Sequence, residues 1–431
     1  MAHRCGTSGS AIRPLLTLAI LFAVLPQEGA AAASSPPDSL QRKMRQLQEA
    51  GERWQRVQRL MGDFEPLMQA GNFPQAEALA DRALAALTEG SQDGRPDAPH
   101  RTTPIPVKLG TIPETAEIVY HSGKGLVLGD GRSHIYVMDR AGKQTTQITF
   151  ESSRNWEHVA VSHDRRFIIA NEQLPNPAKL AGGVSRLWLY DLAKGTEAQL
   201  VPGFMTAGNG GVDWDREGFI YFAGKAADVV SDPQAIEDFI ANAGANDVYR
   251  IKADGIGLQR LTNTPQHGES DVSVSEDGTM VAHSTLAIAD PAHAVCELWV
   301  LNSDGTNHRL VYRGGPLPTG LVADPELSPD NARLVFSKVN LEVPPNFPEH
   351  AAANTAHDLW TVRLDGTGLM RLTKPGPISI LPDWVGDLVV YMELNDAEDY
   401  LGVSLVAASQ PDQPPRRIIR GAQGAKWIPP M

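Results

Sequence analysis

The chain has 431 residues, and its 51 acidic side chains outnumber its 38 lysines and arginines, which gives a formal net charge of −13. A chain this acidic, without a basic run, lacks the clustered lysine and arginine that phosphate backbones require, so we expect no nucleic-acid partner. With only two cysteines, the fold must depend on buried apolar area and not on disulfide bonds.

Residues 1–33 have the order of a secretory signal peptide. Arg4 and Arg13 precede the apolar stretch PLLTLAILFAVLP, and the small residues of EGAAAASS follow it. The apolar stretch is shorter than the roughly 20 residues that span a bilayer, so we expect cleavage near residues 31–33 and no anchor. No later segment is long and apolar enough to cross a membrane, and the sequence therefore predicts a periplasmic or secreted protein.

Residues 34–90 have a helical pattern, in which Leu40, Met44, Leu47, Trp54 and Met61 recur at helical spacing. The following AGNFPQAEALADRALAAL resembles the turn and second helix of a tetratricopeptide repeat. One copy is visible, whereas a solenoid needs about three repeats, so we predict a single α-helical hairpin. Residues 91–106, rich in proline and polar residues, are predicted to be a linker.

From residue 107 onward, a unit of four predicted strands is repeated. VYRIKADGIGLQRLT recurs as IYVMDRAGKQTTQIT, LWLYDLAKGTEAQLV, LWVLNSDGTNHRLV and LWTVRLDGTGLMRLT. The constant interval between the aromatic residue and the later Leu or Ile indicates two strands joined by a tight turn, for which Asp254-Gly255, Asp304-Gly305 and Asp365-Gly366 have suitable chemistry. The segment DVSVSEDGTMVAHS recurs as HVAVSHDRRFIIAN, VDWDREGFIYFAG, PELSPDNARLVFSK and PDWVGDLVVYMEL, and supplies two further strands.

A degenerate first copy beginning near Ala116 brings the number of units to six, each with strands A to D. Four-stranded units at this spacing are the signature of a β-propeller. The sequence therefore predicts an all-β, six-bladed β-propeller over residues 107–431, preceded by the small α-helical module. For ring closure two alternatives stay open: PVKLG near residue 106 could complete the outer edge of the last unit, and AKWIPP near the C-terminus could be another A strand.

The phrases ELSPDNARLVF, VSEDGTMVAHS and LWTVRLDGTGLMRLT resemble the repeat of TolB-like propellers, a branch of the WD-type group. The resemblance runs from about residue 107 to the C-terminus and implies an architecture, since propellers host many functions. TolB itself carries an α/β domain at its N-terminus, where this chain has a predicted helical hairpin. The resemblance therefore does not imply a place in the Tol-Pal envelope system.

Insertions between the repeats are concentrated in the B-to-C connections. In a four-stranded meander these connections and the D-to-A connections emerge on one face, here called the loop face, and the A-to-B and C-to-D turns emerge on the opposite turn face. The third unit inserts SDPQAIEDFIANAGAN, a predicted short helix, and the fifth inserts VNLEVPPNFPEHAAANTAH. Binding residues usually lie on loops of a rigid scaffold, so the loop face is predicted either to bind a partner or to cover the channel mouth.

The innermost A strands begin on the loop face, so their first residues approach the central channel. One aligned column here reads His158, Gly211, Asp271, Asp324 and Leu381. Its polar members and their neighbours are the candidate binding residues: His158, Asp271, Asp324, Glu157, Glu269 and His267. His158, Asp271 and Asp324 could hold a divalent cation, because imidazole and carboxylate are common metal ligands. A water-filled acidic channel is the alternative, and no other cofactor is predicted.

Three functions are compatible with the sequence. The first is a secreted or periplasmic scaffold whose loop face binds a protein or a cell-envelope polymer. The second is a channel enzyme acting on acidic oligosaccharides, as the resemblance to oligogalacturonate lyases implies, although His158 is the one histidine in the column. The third is a small-molecule or sugar-binding propeller. Because the sequence lacks GxSxG, a phosphate loop and paired CxxC motifs, we predict binding and leave catalysis unassigned.

Overall fold

The computed structural model describes residues 100–122, 133–150, 154–174, 184–202, 204–207, 211–226, 246–264, 267–287, 295–316, 320–340, 357–373, 378–395, 400–411 and 413–430. These residues belong to a compact unit, Asp97–Met431. A second unit, Met1–Pro96, lies outside the described residues, as do the predicted signal peptide, the helical hairpin and residues 231–245 and 341–356 of the inserts in the third and fifth repeats. In the ranges given above, no helix is long and apolar enough to cross a membrane.

The described residues form β-strands numbered along the chain. The strands of the first half are β1 (Ile105–Pro106), β2 (Ile118–Ser122), β3 (His134–Met138), β4 (Thr145–Gln147), β5 (Trp156–Val161), β6 (Phe167–Gln173), β7 (Val184–Asp191), β8 (Thr196–Leu200), β9 (Phe204–Ala207), β10 (Val212–Trp214), β11 (Phe219–Ala226), β12 (Asp247–Lys252) and β13 (Gln259–Arg260). Those of the second half are β14 (His267–Val274), β15 (Met280–Ala287), β16 (Val295–Asn302), β17 (Arg309–Pro316), β18 (Val322–Leu327), β19 (Arg333–Val339), β20 (His357–Arg363), β21 (Met370–Arg371), β22 (Ile378–Val385), β23 (Leu388–Asn395), β24 (Tyr400–Ala407), β25 (Arg416–Arg420) and β26 (Ala422–Trp427).

These strands form the predicted six-bladed β-propeller of four-stranded antiparallel blades. From the channel outwards, blade 1 is β26-β2-β3-β4, blade 2 is β5-β6-β7-β8, blade 3 is β10-β11-β12-β13, blade 4 is β14-β15-β16-β17, blade 5 is β18-β19-β20-β21 and blade 6 is β22-β23-β24-β25. The inner strands contact one another in a closed circle, in the order β26, β5, β10, β14, β18, β22 and again β26. The fold class that the repeats predict is therefore confirmed.

The ring is closed by the C-terminal strand. β26 pairs with β2, with Trp427 opposite Ile118, and so supplies the inner strand of blade 1. Of the two closures that the sequence leaves open, this is the one that the AKWIPP segment predicts. PVKLG does not complete the last blade, because β1, which lies inside the predicted linker, pairs with β8 at the outer edge of blade 2.

One strand joins two blades. β9 pairs with β7 of blade 2, where Thr206 lies opposite Ser185, and with β11 of blade 3, where Thr206 lies opposite Gly224. Blades 2 and 3 therefore share one continuous hydrogen-bonded sheet. The sequence did not predict this strand, because FMTA is short and has no counterpart in the other repeats.

The repeated turn residues have structural roles. In the Ser-x-Asp turns, the hydroxyl of Ser275 donates to Asp277 Oδ1 at 2.7 Å, and the same oxygen accepts the Thr279 amide at 3.0 Å. Equivalent bonds form at Ser162 and Asp164 and at Ser328 and Asp330. Most of the recurring acidic column therefore orders its own turns, since a carboxylate that accepts nearby amides replaces a backbone turn bond.

The recurring Leu-Thr or Ile-Thr at the end of a unit also has a local cause. Its apolar residue is buried, and its threonine hydroxyl accepts the amide at the start of the preceding C strand. The three such hydroxyl acceptors, each 2.9 Å from the amide nitrogen, are those of Thr149, Thr262 and Thr373. The motif recurs in these three blades because each of them satisfies the same buried amide at the same place.

Candidate functional site

A cavity of about 30 Å³ lies in the channel where the inner strands begin. Its lining includes all five members of the predicted column, His158, Gly211, Asp271, Asp324 and Leu381. It also includes Gly424 of β26, which the predicted column lacked. The structure therefore brings together residues that lie on six different blades, at the loop-face end of the channel.

The backbone is irregular at this level of the channel. The register of β5, β14, β18 and β22 against their neighbours shifts here, which marks a β-bulge. Asp271, Asp324 and Leu381 have positive φ values of 50°, 54° and 53°, and Gly424 has 54°. At Gly424 a Cβ would lie 2.7 Å from the Glu157 carbonyl oxygen, so no larger residue fits. Since left-handed backbone costs about 1–2 kcal/mol for a residue other than glycine, its repetition here marks an imposed geometry at the cavity wall.

Asp271 and Asp324 are both held by their Oδ2 atoms. Asp271 Oδ2 accepts the Ser284 hydroxyl from its own blade and the Asp324 amide, at 3.3 Å, from the next blade. Asp324 Oδ2 likewise accepts the Ser337 hydroxyl at 2.7 Å and the Leu381 amide at 3.2 Å. The two carboxyl groups thereby link blades 4, 5 and 6 in sequence, and each is fixed in position before any ligand binds.

Asp271 Oδ1, unlike Oδ2, has no hydrogen-bond partner among the described residues. The residue is buried, since Asp271 is 7% exposed. Burial, and then the charge of Asp324, raises the pKa of Asp271 to about 7, and burial raises the pKa of Asp324 as well. Burial, and then the charges of Lys426 and His121, lowers the pKa of His158 to about 3, so this imidazole is neutral. The cavity wall is therefore acidic on blades 4 and 5 and neutral on blade 2.

A second polar layer lies two residues further along the inner strands. It consists of Lys426 of blade 1, Asp213 of blade 3, Glu326 of blade 5 and Asp383 of blade 6, here called the Lys426 cluster. Lys426 Nζ lies 3.1 Å from Asp213 Oδ2 and 3.8 Å from Glu326 Oε2. Burial raises the pKa of Asp383 to about 6 and that of Glu326 well above its ordinary value. Burial alone would lower the pKa of Lys426, but the three carboxyl groups raise it.

The Lys426 cluster separates the two ends of the channel. Lys426 and Glu326 line both the cavity at the loop face and a second cavity of about 70 Å³ at the turn face. Lys426 was not predicted from the sequence as a functional residue, although a signal was present. Aligning AKW of the C-terminal strand with VDW, PEL and PDW of the other inner strands places Lys426 in one column with its three carboxyl partners.

Three predicted candidates do not line the cavity. Glu157 is buried, and its Oε1 accepts the Gln173 amide group at 3.3 Å. Glu269 is buried and accepts the Thr264 hydroxyl, and burial raises its pKa to about 8. The ring of His267 lies 6.0 Å from the ring of Trp299, on the side of blade 4. The structure thus brings His158, Asp271 and Asp324 to the cavity wall, whereas these three neighbours do not line it. Burial, and then the charge of Asp271, raises the pKa of Glu157.

The geometry does not provide a set of metal ligands for the predicted cation site. Among the described residues, no three His, Cys, Asp or Glu side chains lie close enough to hold one metal ion. His158, Asp271 and Asp324 share the cavity wall, but from different blades. A divalent cation at this place therefore stays a hypothesis based on the residue types.

A larger groove, of about 430 Å³, lies on the turn face between blades 2 and 3. The sequence did not predict it. Two of its cations already have partners, since Arg166 contacts Asp191 at 2.9 Å and Lys252 Nζ donates to the Glu217 carbonyl oxygen. The channel cavity, in contrast, is lined by Asp271, whose Oδ1 has no hydrogen-bond partner among the described residues, so we take the cavity as the candidate site.

The raised pKa values predict that stability falls as the pH rises. The folded protein binds protons at Asp271, Asp383 and Glu269 between about pH 4 and pH 8, where these groups in the unfolded chain have lost them. We expect the free energy of unfolding to fall by up to about 1.4 kcal/mol per pH unit for each of these protons. The melting temperature should therefore be lower at pH 8 than at pH 5.5. Asp271→Asn should flatten this dependence. A melting temperature that is constant or rises over this range would contradict the expectation.

Neither a protein-family model nor a curated protein sequence matches this chain. Solved structures do match its fold. TolB from Acinetobacter baumannii is 14% identical, with 74% of this chain and 68% of that chain covered and a TM-score of 0.48. The nidogen/laminin complex is 8% identical, with 73% and 99% covered and a TM-score of 0.50. An oligogalacturonate lyase in complex with manganese is 12% identical, with 74% of both chains covered and a TM-score of 0.42. At these identities the likeness concerns the propeller fold alone.

Proposed function

We propose that the protein is a periplasmic or secreted binding protein that holds a protein or a cell-envelope polymer on the loop face of its propeller. The observation that carries this proposal is the size of the channel cavity, about 30 Å³. Sites that enclose a small molecule usually measure about 300–1,000 Å³. The Lys426 cluster lies between this cavity and the one at the turn face, so a ligand that uses this site has to lie mainly across the loop face.

The nature of the site favours a binding protein over the two alternatives. A sugar ring has no room in the described cavity, and the carboxyl groups of Asp271 and Asp324 would repel an acidic oligosaccharide. The nidogen/laminin structure is that of a protein complex, which supports the use of this fold as a protein-binding scaffold. The predicted signal peptide supports an extracytoplasmic site of action.

The proposal can be tested with two charge-matched double variants. Phe150 and Asn263 are exposed in D-to-A connections of the loop face, whereas Ile256 and Leu369 are exposed in C-to-D turns of the turn face. Partners are captured from an envelope extract with the wild-type protein, identified, and titrated against each variant. We expect Phe150→Glu/Asn263→Glu to weaken binding about tenfold or more, because a footprint on that face loses an apolar contact and gains two charges.

The turn-face variant Ile256→Glu/Leu369→Glu adds the same charge and should bind like the wild type. Equal weakening by both variants would exclude the loop face as the specific surface. If the wild type captures nothing specific and degrades a panel of acidic oligosaccharides, the channel enzyme is the correct alternative.

A further inference from the structure

The channel contains far more carboxyl groups than cations. Asp271 and Asp324 form the upper layer, nearer the loop face, and Asp213, Glu326 and Asp383 belong to the Lys426 cluster below it. Among the residues that line the described cavity, Lys426 is the cation available to offset these five carboxyl groups. His158 is buried and neutral, so it does not offset this charge. Because burying carboxylates without a counter-charge is costly, the upper layer has to take up either protons or a further cation.

We propose that the cavity binds a primary ammonium group, presented by a lysine side chain or an amino terminus of the partner on the loop face. This inference rests on the proposed function and names the chemistry of the partner. Asp271 is more than nine-tenths buried, lines the cavity and has an Oδ1 that lacks a hydrogen-bond partner among the described residues. An ammonium has three donors and no acceptor, which matches such an oxygen.

The layer below shows that this channel accommodates an ammonium. Lys426 Nζ lies near carboxylates of blades 3 and 5, 3.1 Å from Asp213 and 3.8 Å from Glu326. Asp271 and Asp324 offer the same kind of oxygen two residues nearer the loop face. Their Oδ2 atoms are held by serine hydroxyls and backbone amides, so the remaining oxygens are ordered without a ligand. A second ammonium would therefore bind to carboxyl groups that are already in position.

The volume of the cavity limits the ligand further. About 30 Å³ is enough for one or two groups of the size of a water molecule. An ammonium with its adjoining methylene fits this space, whereas a guanidinium or a sugar ring is too large. Leu381 and the backbone of Gly211 and Gly424 supply the rest of the wall, against which the methylene can pack.

The inference is tested with the full chain and two matched peptides, acetyl-Gly-Lys-amide and acetyl-Gly-norleucine-amide, titrated by calorimetry at low ionic strength. We expect the lysine peptide to bind about tenfold or more tightly than the norleucine peptide, because only the lysine peptide carries the charge. Asp271→Asn and, separately, Asp324→Asn should remove this difference. Glu276→Gln, which neutralises an exposed carboxylate on the turn face, should leave it unchanged.

Melting curves identify any variant that fails to fold, and the other aspartate variant then decides. Equal binding of the two peptides, or equal loss in Glu276→Gln, would overturn the ammonium site. Binding of manganese or calcium ions alone, lost in Asp271→Asn, would overturn it in favour of a metal site. Capture of the partner that survives both aspartate substitutions but fails in Phe150→Glu/Asn263→Glu would reject this inference and leave the proposed function standing.

Discussion

Replacing Lys426 by methionine should lower the free energy of unfolding by about 3–5 kcal/mol, because the substitution leaves three buried or partly buried carboxyl groups without their cation. Lys426 Nζ contacts Asp213 and Glu326, and its charge also acts on Asp383. These partners lie on three different blades, so the loss weakens the whole ring. Urea unfolding followed by tryptophan fluorescence measures the change.

Two further variants make the Lys426 test specific. Lys143→Met removes an exposed lysine and should change the free energy of unfolding by less than about 0.5 kcal/mol. Lys426→Met/Asp213→Asn removes one carboxyl group together with the ammonium and should recover part of the loss. Because protonation can relieve the stranded carboxyl groups, we expect a smaller effect of Lys426→Met at pH 5.5 than at pH 8. A variant as stable as the wild type at both pH values would show that the cluster does not hold the ring together.

Removing residues 421–431 should abolish the cooperative unfolding of the propeller. The truncation deletes β26, so β2 becomes an open inner edge and its buried residues Ile118 and Val119 are exposed. It also removes Trp427 and Ile428, whose burial contributes about 1.5–3 kcal/mol each, and the Lys426 cluster. Since a domain has a total stability of about 5–15 kcal/mol, these losses together are comparable to the whole. Thermal melting followed by circular dichroism measures the loss.

The truncation has a direct rescue and a matched control. A synthetic peptide of residues 421–431, added in excess, should restore a cooperative melting transition by supplying the inner strand of blade 1. At the opposite, outer side of the ring, Ile105→Gly weakens the exposed strand β1 and should leave the transition cooperative. If the truncated protein melts as cooperatively as the full chain, the ring does not depend on its closing strand.

The blades could be predicted because their signals are local. An Asp-Gly turn, a Ser-x-Asp turn and a Leu-Thr ending each form bonds within a few residues or between adjacent strands, so the sequence contains both partners side by side. Ring closure could not be chosen, because β26 and β2 come from opposite ends of the propeller and several strands have similar apolar patterns. The double pairing of β9 depends likewise on the spacing of two blades and not on the residues of β9.

The candidate site was predicted in part for the same reason. Aligning the repeats placed His158, Asp271 and Asp324 in one column, and the structure brings them to one cavity. The left-handed backbone at this position was not predictable, since aspartate, leucine and glycine all occupy it. Lys426 was missed because the C-terminal strand had not been assigned to the ring, although its partners were already aligned.

The strand shared by blades 2 and 3 gives the ring a mechanical asymmetry. At this joint a shearing load is carried by the backbone hydrogen bonds of β9, on both of its edges. In the part of the chain that the structure describes, no other strand pairs with two blades, and the joints between blades 4 and 5 and between blades 5 and 6 depend on packed side chains and isolated hydrogen bonds. A tensile force, such as that of a tethered partner pulled away from the loop face, would therefore open the ring at one of those joints and leave blades 2 and 3 as one stiff segment.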